Sequence, residues 1–158
     1  MTIDSQSGFQ GKFPRQRPRR MRQSENHRKL IRETHLSSKS LIMPYFVQAG
    51  SHIREPIEAM PGQFRFSPDT LIQELEECTS KGVTAILLFG IPQSKDLKAT
   101  EAWSKDGIVQ SAVREIRKHF KDLLIITDVC LCAFTSHGHC GIVNEKGEVT
   151  NDDTIQLL

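Results

Sequence analysis

Asp128-Val-Cys-Leu-Cys-Ala-Phe-Thr-Ser-His-Gly-His-Cys-Gly141 holds three of the chain's four cysteines, Cys130, Cys132 and Cys140, together with His137 and His139. It follows Leu123-Leu-Ile-Ile-Thr127, a short apolar run of branched aliphatics that reads as a buried strand continuing to Val129. If the strand ran on, Cys130 and Cys132 would project from one face, because side chains alternate with a period of two. The Ser136-His-Gly-His139 segment can then turn the chain and bring Cys140 back to that face. Three thiols converging at a strand end form a soft ligand set suited to zinc. Buried thiols and a redox pair are the alternatives. A structural disulfide is disfavoured, because Cys130 and Cys132 are badly placed to pair across one residue. Cys78 stands apart and reads as a small core hydrophobe.

Working outward, the segments upstream alternate in kind. Leu41-Ile-Met-Pro-Tyr-Phe-Val47 is a first strand, in which Pro44 disfavours a regular central position. Arg54 to Phe66, with Met60-Pro-Gly62, reads as a long connection. Ser67 is placed as N-cap, Pro68 as first helical residue and Asp69 in the first turn of a helix. Leu71, Ile72, Leu75 and Cys78 form its apolar stripe, and Gly82 ends it. Val83 to Ile91 is a nearly continuous apolar strand of the kind buried on both faces. A polar loop leads to Asp106-Gly107 and a second helix with Ile108, Val109, Ala112, Val113, Ile116 and Phe120 on one side. After the cysteine stretch, Ile142 to Val149 reads as a hairpin turning at Lys146-Gly147. Asn151 to Leu158 opens like a capped helix. Strand, helix, strand, helix, strand, ligand loop and helix start imply a parallel α/β sheet. A (β/α)8 barrel needs about 250 residues. The 158 residues supply about three of its eight units, so the expectation is the N-terminal part of such a barrel, truncated at its C-terminus.

Charge divides the chain. Residues 12–32 carry nine Lys or Arg against Glu25 alone, a net +8, whereas the remainder holds twelve basic and eighteen acidic residues, a net −6. Residues 1–36 are therefore expected to form a basic N-terminal arm, extended up to about residue 24 with a short helix over 25–34, and residues 37–158 the partial barrel domain. Clustered cations attract phosphate. Because no aromatics are interleaved to stack on bases, the arm reading favours an acidic neighbouring subunit over nucleic acid. No apolar run approaches the ~20 residues of a membrane span. The polar N-terminus has no apolar core of a signal peptide. A cytoplasmic, reducing location is the simplest expectation.

Arg17-Pro-Arg-Arg-Met-Arg22, Leu41-Ile-Met-Pro-Tyr-Phe46, Met60-Pro-Gly62 and, above all, the cysteine stretch resemble the zinc-dependent porphobilinogen synthase (5-aminolevulinate dehydratase) family. The resemblance runs from about Arg17 to Leu158. It implies a (β/α)8 barrel that condenses two molecules of 5-aminolevulinate to porphobilinogen in haem and tetrapyrrole biosynthesis. It also implies an arm that embraces a neighbouring subunit in a homo-oligomer, commonly an octamer. By resemblance Cys130, Cys132 and Cys140 are ligands of the catalytic zinc, and Asp128 is the acidic active-site residue before the first cysteine. His139 matches a residue of a second, non-catalytic metal site found in some members. The family's two Schiff-base lysines have no counterpart in these residues, so the chain alone is expected to be inactive. Three protein ligands leave a fourth zinc position open for water or substrate. Closure by His137 or His139 would make the site structural instead. The rival readings are a non-catalytic zinc module, with a basic arm that binds RNA or a partner protein, and an inactive interacting fragment.

Overall fold

The computed structural model describes residues 16–158. The chain divides into two compact units, Met1–Leu36 and Ser37–Leu158. In the first, a 3-10 turn at Pro18–Arg22 precedes helix α1, Glu25–Ile31, whose N-cap Ser24 accepts the amide of His27. None of the described residues of this unit is buried.

The second unit is a five-stranded sheet with helices packed on it. Strand β1, Ile42–Gln48, leads to β2, Arg54–Pro56, and β3, Phe64–Phe66. Helix α2, Pro68–Ser80, strand β4, Ala85–Ile91, and the short helix α3, Thr100–Trp103, come next. Helix α4, Ile108–His119, strand β5, Leu124–Thr127, and helix α5, Asn151–Ile155, complete the order. The sheet runs β2-β3-β1-β4-β5, with β1, β4 and β5 parallel. Their carboxyl ends therefore lie at one end of the sheet.

Register separates the two faces. Tyr45 pairs with Leu88, and Ile86 with Ile125. Ile86, Leu88 and Val47 are fully buried beside Leu71 and Leu75 of α2 and Ala112 and Ile116 of α4. Burying each such side chain stabilises the fold by about 1.5–3 kcal/mol before entropy is counted. Phe46 stacks on Phe89, ring centroids 5.4 Å apart, on the opposite, only half-buried face. Among the described residues β5 pairs only with β4, and Leu124 is largely exposed on it.

Four expectations need correction. Pro44, expected to disfavour a regular central position, lies within β1, the middle strand of the sheet. Pairing with β3 begins only at Phe46, so β1 is one-sided at Pro44 and tolerates a residue with no N–H to give. The connection from Arg54 to Phe66 contains the antiparallel β2–β3 pair. Its Met60-Pro-Gly-Gln63 link closes with the Gln63 amide on the Met60 carbonyl, 2.9 Å, and Gly62 at φ +84°, a turn that requires a glycine there. The polar loop after β4 holds α3. Finally, Ser67 occupies the N-cap but its hydroxyl does not cap the helix. It accepts the Ile53 amide at 2.9 Å and donates to Asp69 at 2.5 Å, tying the loop after β1 to the start of α2.

Candidate metal centre

Strand β5 stops at Thr127, short of the expected Val129, so strand alternation does not bring the cysteines together. The Asp128 amide still donates to the Leu88 carbonyl, 3.4 Å, which carries the ladder one residue further. By the two-residue period this puts Asp128 on the face of Leu124 and Ile126. Its side chain is exposed. Beyond it the chain turns. The Leu131 carbonyl accepts the amides of both Phe134 and Thr135, each at 2.9 Å, and Leu131, Phe134 and Thr135 are all buried. Cys130 and Cys132, on either side of Leu131, are left half-buried.

The neighbouring loop braces this turn. Asp96 donates its amide to the Phe134 carbonyl at 3.4 Å and accepts the Ser136 amide at 3.0 Å, a parallel bridge to Thr135. Gly138, at φ +76°, then reverses the chain toward Cys140. The expected hairpin over Ile142 to Val149 is present as a Val143–Val149 bridge, closed by the Asn144 side chain accepting the amides of Lys146 and Glu148.

The three sulfurs converge. Cys130 and Cys132 Sγ are 3.3 Å apart, and all three Sγ atoms lie within 4.8 Å of one another. Tetrahedral zinc with bonds of about 2.3 Å to sulfur needs ligands about 3.8 Å apart. The donor set suits a thiophilic cation. Neither histidine joins the cluster. The His139 amide donates to Nδ1 of His137 at 3.1 Å, and the two rings stand 5.3 Å apart. With Nδ1 accepting, Nε2 of His137 carries the proton, and this buried atom has no hydrogen-bond partner. His139 is exposed.

The thiols differ in acidity. The Cys132 amide, which points at Cys130 Sγ from 3.5 Å, holds the Cys130 thiol below its ordinary range, and hydrogen bonds from the other two thiols act the same way. Cys132 is pushed up to about 11, first by its hydrogen bond to Cys130 and then by desolvation. Cys140 is raised through its contact with Cys130. Three thiolates this close repel one another, and a bound cation removes that conflict.

A mostly parallel α/β sheet with three thiols gathered at the carboxyl end of a strand defines the class: a fold of the barrel-forming kind whose cysteine cluster could hold a metal ion where such folds place their chemistry. The family model for delta-aminolevulinic acid dehydratase matches residues 15–158, and the chain belongs to that family. It is 45% identical over 142 residues to the delta-aminolevulinic acid dehydratase of Ruminiclostridium josui, an overlap that covers 90% of this chain and 69% of the relative. It is 48% identical over 147 residues to that of Methanothermus sociabilis, covering 93% of this chain and 45% of the relative. The crystal structure of delta-aminolevulinic acid dehydratase (porphobilinogen synthase) from Toxoplasma gondii ME49, in complex with the reaction product porphobilinogen, superposes with a TM-score of 0.84 at 36% identity. That overlap covers 90% of this chain and 41% of the solved one. The chain thus spans less than half the length of the last two.

In the metal-free chain, alkylation by iodoacetamide followed by peptide mass mapping should find Cys130 first. A lowered pKa leaves more thiolate at a given pH, so its labelling should persist to lower pH than that of Cys132, which ionises only near pH 11. Equal labelling of both at neutral pH would contradict this order.

Proposed function

We propose that this chain carries the zinc-binding part of the active site of an enzyme that condenses two 5-aminolevulinate molecules to porphobilinogen in haem biosynthesis. One observation supports this above the others: three sulfurs within 4.8 Å of one another at the carboxyl end of β5, with no histidine among them. Cys130, Cys132 and Cys140 are the ligands in this reading, and the fourth position is left to substrate. Zinc, when bound, would polarise a carbonyl or hydroxyl oxygen of the substrate and so stabilise developing negative charge.

The remaining roles belong to side chains. Asp128 is the acid–base residue at the strand end, where its exposed carboxylate can pair with the substrate's ammonium group or take a proton from it. Buried Leu131 and Phe134 back the site and keep water from one side of it. Imine formation with the substrate ketones requires lysine. The family resemblance assigns the two Schiff-base lysines to other strands of the full barrel.

The basic first unit is read as an arm that grips a second copy in a homo-oligomer. Leu30 and Leu36 are 79% and 87% exposed in it, as apolar side chains awaiting a partner surface would be. No helix among the described residues is long and apolar enough to cross a membrane. A reducing cytoplasm suits free thiols held for metal.

The test is reconstitution. The purified 158-residue chain with zinc and 5-aminolevulinate should yield no porphobilinogen. Supplying the remaining strands from a full-length relative should restore it. In the restored enzyme Cys132→Ser should lower zinc content and turnover together. Porphobilinogen from the chain alone, or an undiminished Cys132→Ser enzyme, would contradict the proposal.

A further inference from the structure

Cys140 is the ligand with least support of its own. It is exposed, whereas Cys130 and Cys132 flank the buried anchor Leu131. Its position depends on how the backbone on either side is held, and on both sides the holding group is a buried threonine. Thr135, 1% exposed, donates its hydroxyl to the carbonyl of His139 at 2.9 Å, one residue before Cys140. Thr154, 5% exposed on α5, accepts the amide of Ile142 at 3.0 Å, two residues after it. The same Thr154 oxygen donates to the Thr150 carbonyl at 2.7 Å, so the hydroxyl has both a donor and an acceptor partner.

Gly141 lies between these anchors and is buried. A Cβ there would fall 2.5 Å from Thr154 Oγ1 and 2.6 Å from Val149 Cγ1, so the backbone beside Cys140 is seated directly on Thr154. The Thr150 amide adds a bond to the Ile142 carbonyl at 2.8 Å. Among the described residues the buried polar side chains are Ser67, Thr135 and Thr154. Two of these three bracket one cysteine. Burying a hydroxyl without a partner is unfavourable, so each threonine fixes its partner's position as firmly as its own.

We propose that Thr135 and Thr154 are the positioning residues of the metal centre, holding Cys140 within ligating distance of Cys130 and Cys132. The proposal rests on the metal-centre reading given above. Neither threonine touches the metal or substrate; both act through the backbone that carries the third thiolate. Outer groups that orient ligands in this way change metal affinity by roughly 10- to 100-fold when removed.

The experiment uses the full 158-residue chain, titrated with cobalt(II) and followed by its thiolate-to-metal charge-transfer absorption, with zinc affinity read by chelator competition. Thr154→Val and Thr135→Val keep the branched shape but remove the hydroxyl. Each should weaken metal binding by roughly 10- to 100-fold and lower the charge-transfer intensity per bound cobalt, as one of three thiolates drops out. Thr154→Ser, which retains the oxygen, should match the parent. So should Ser67→Ala, which removes a buried hydroxyl remote from the cysteines and controls for general destabilisation. Parent-like binding by Thr154→Val, or an equal loss in Ser67→Ala, would overturn the proposal. In metal-free protein the Ile142 amide should exchange with solvent faster in Thr154→Val than in the parent; unchanged protection would also overturn it. A parent chain with no thiolate absorption at all would instead overturn the metal-centre reading, a result seen before any variant is made.

Discussion

Leu131 is buried between two cysteines that are not, and the site depends on that contrast. Its side chain enters the core with Phe134, and its carbonyl accepts two amides of the turn that follows. A buried leucine makes a displacement of this turn costly, by about 2–5 kcal/mol if the side chain is cut back to alanine. The two flanking thiols are consequently held at the rim, 3.3 Å apart, by the same packing that closes the core. Apolar burial thus sets the geometry of a polar cluster of thiols.

The sheet supplies the platform. β1, β4 and β5 run parallel, and their carboxyl ends bring the Asp96 loop against Thr135. The cluster therefore leans on two strand ends at once. On the helix-facing side the sheet is closed by α2 and α4; on the other, Phe46 and Phe89 are half-buried, and among the described residues β5 is paired on one edge. In a complete barrel both features are covered by further strands. The likeness to the Toxoplasma enzyme over 41% of its length agrees with a partial barrel.

Much of this is readable from the residues. The stripes of α2 and α4 and the apolar run of β4 stand out because burial imposes a period on them. The cysteine spacing stands out because thiols are rare and costly to cluster. Other features lack such a signal. β2 and β3 have three residues each and carry Arg54, Glu55 and Arg65, too short and too charged to show alternation. Pro44 argues against a central position for β1, and β3, the neighbour that makes β1 central, carries no signal of its own. Strand alternation predicts the convergence of Cys130 and Cys132, whereas a turn around buried Leu131 produces it, and that burial is a tertiary effect with no local signal. Thr135 and Thr154 leave no trace in the sequence, because a hydroxyl bonding a backbone group four or twelve residues away has no periodicity.

The claim on which the functional reading stands is that the three cysteines, and no other protein groups, bind one metal ion. X-ray absorption at the zinc edge of the metal-loaded chain tests it directly. Three sulfurs at about 2.3 Å with one lighter ligand is the expected first shell. A shell dominated by oxygen and nitrogen, or one closed by a histidine, would contradict it.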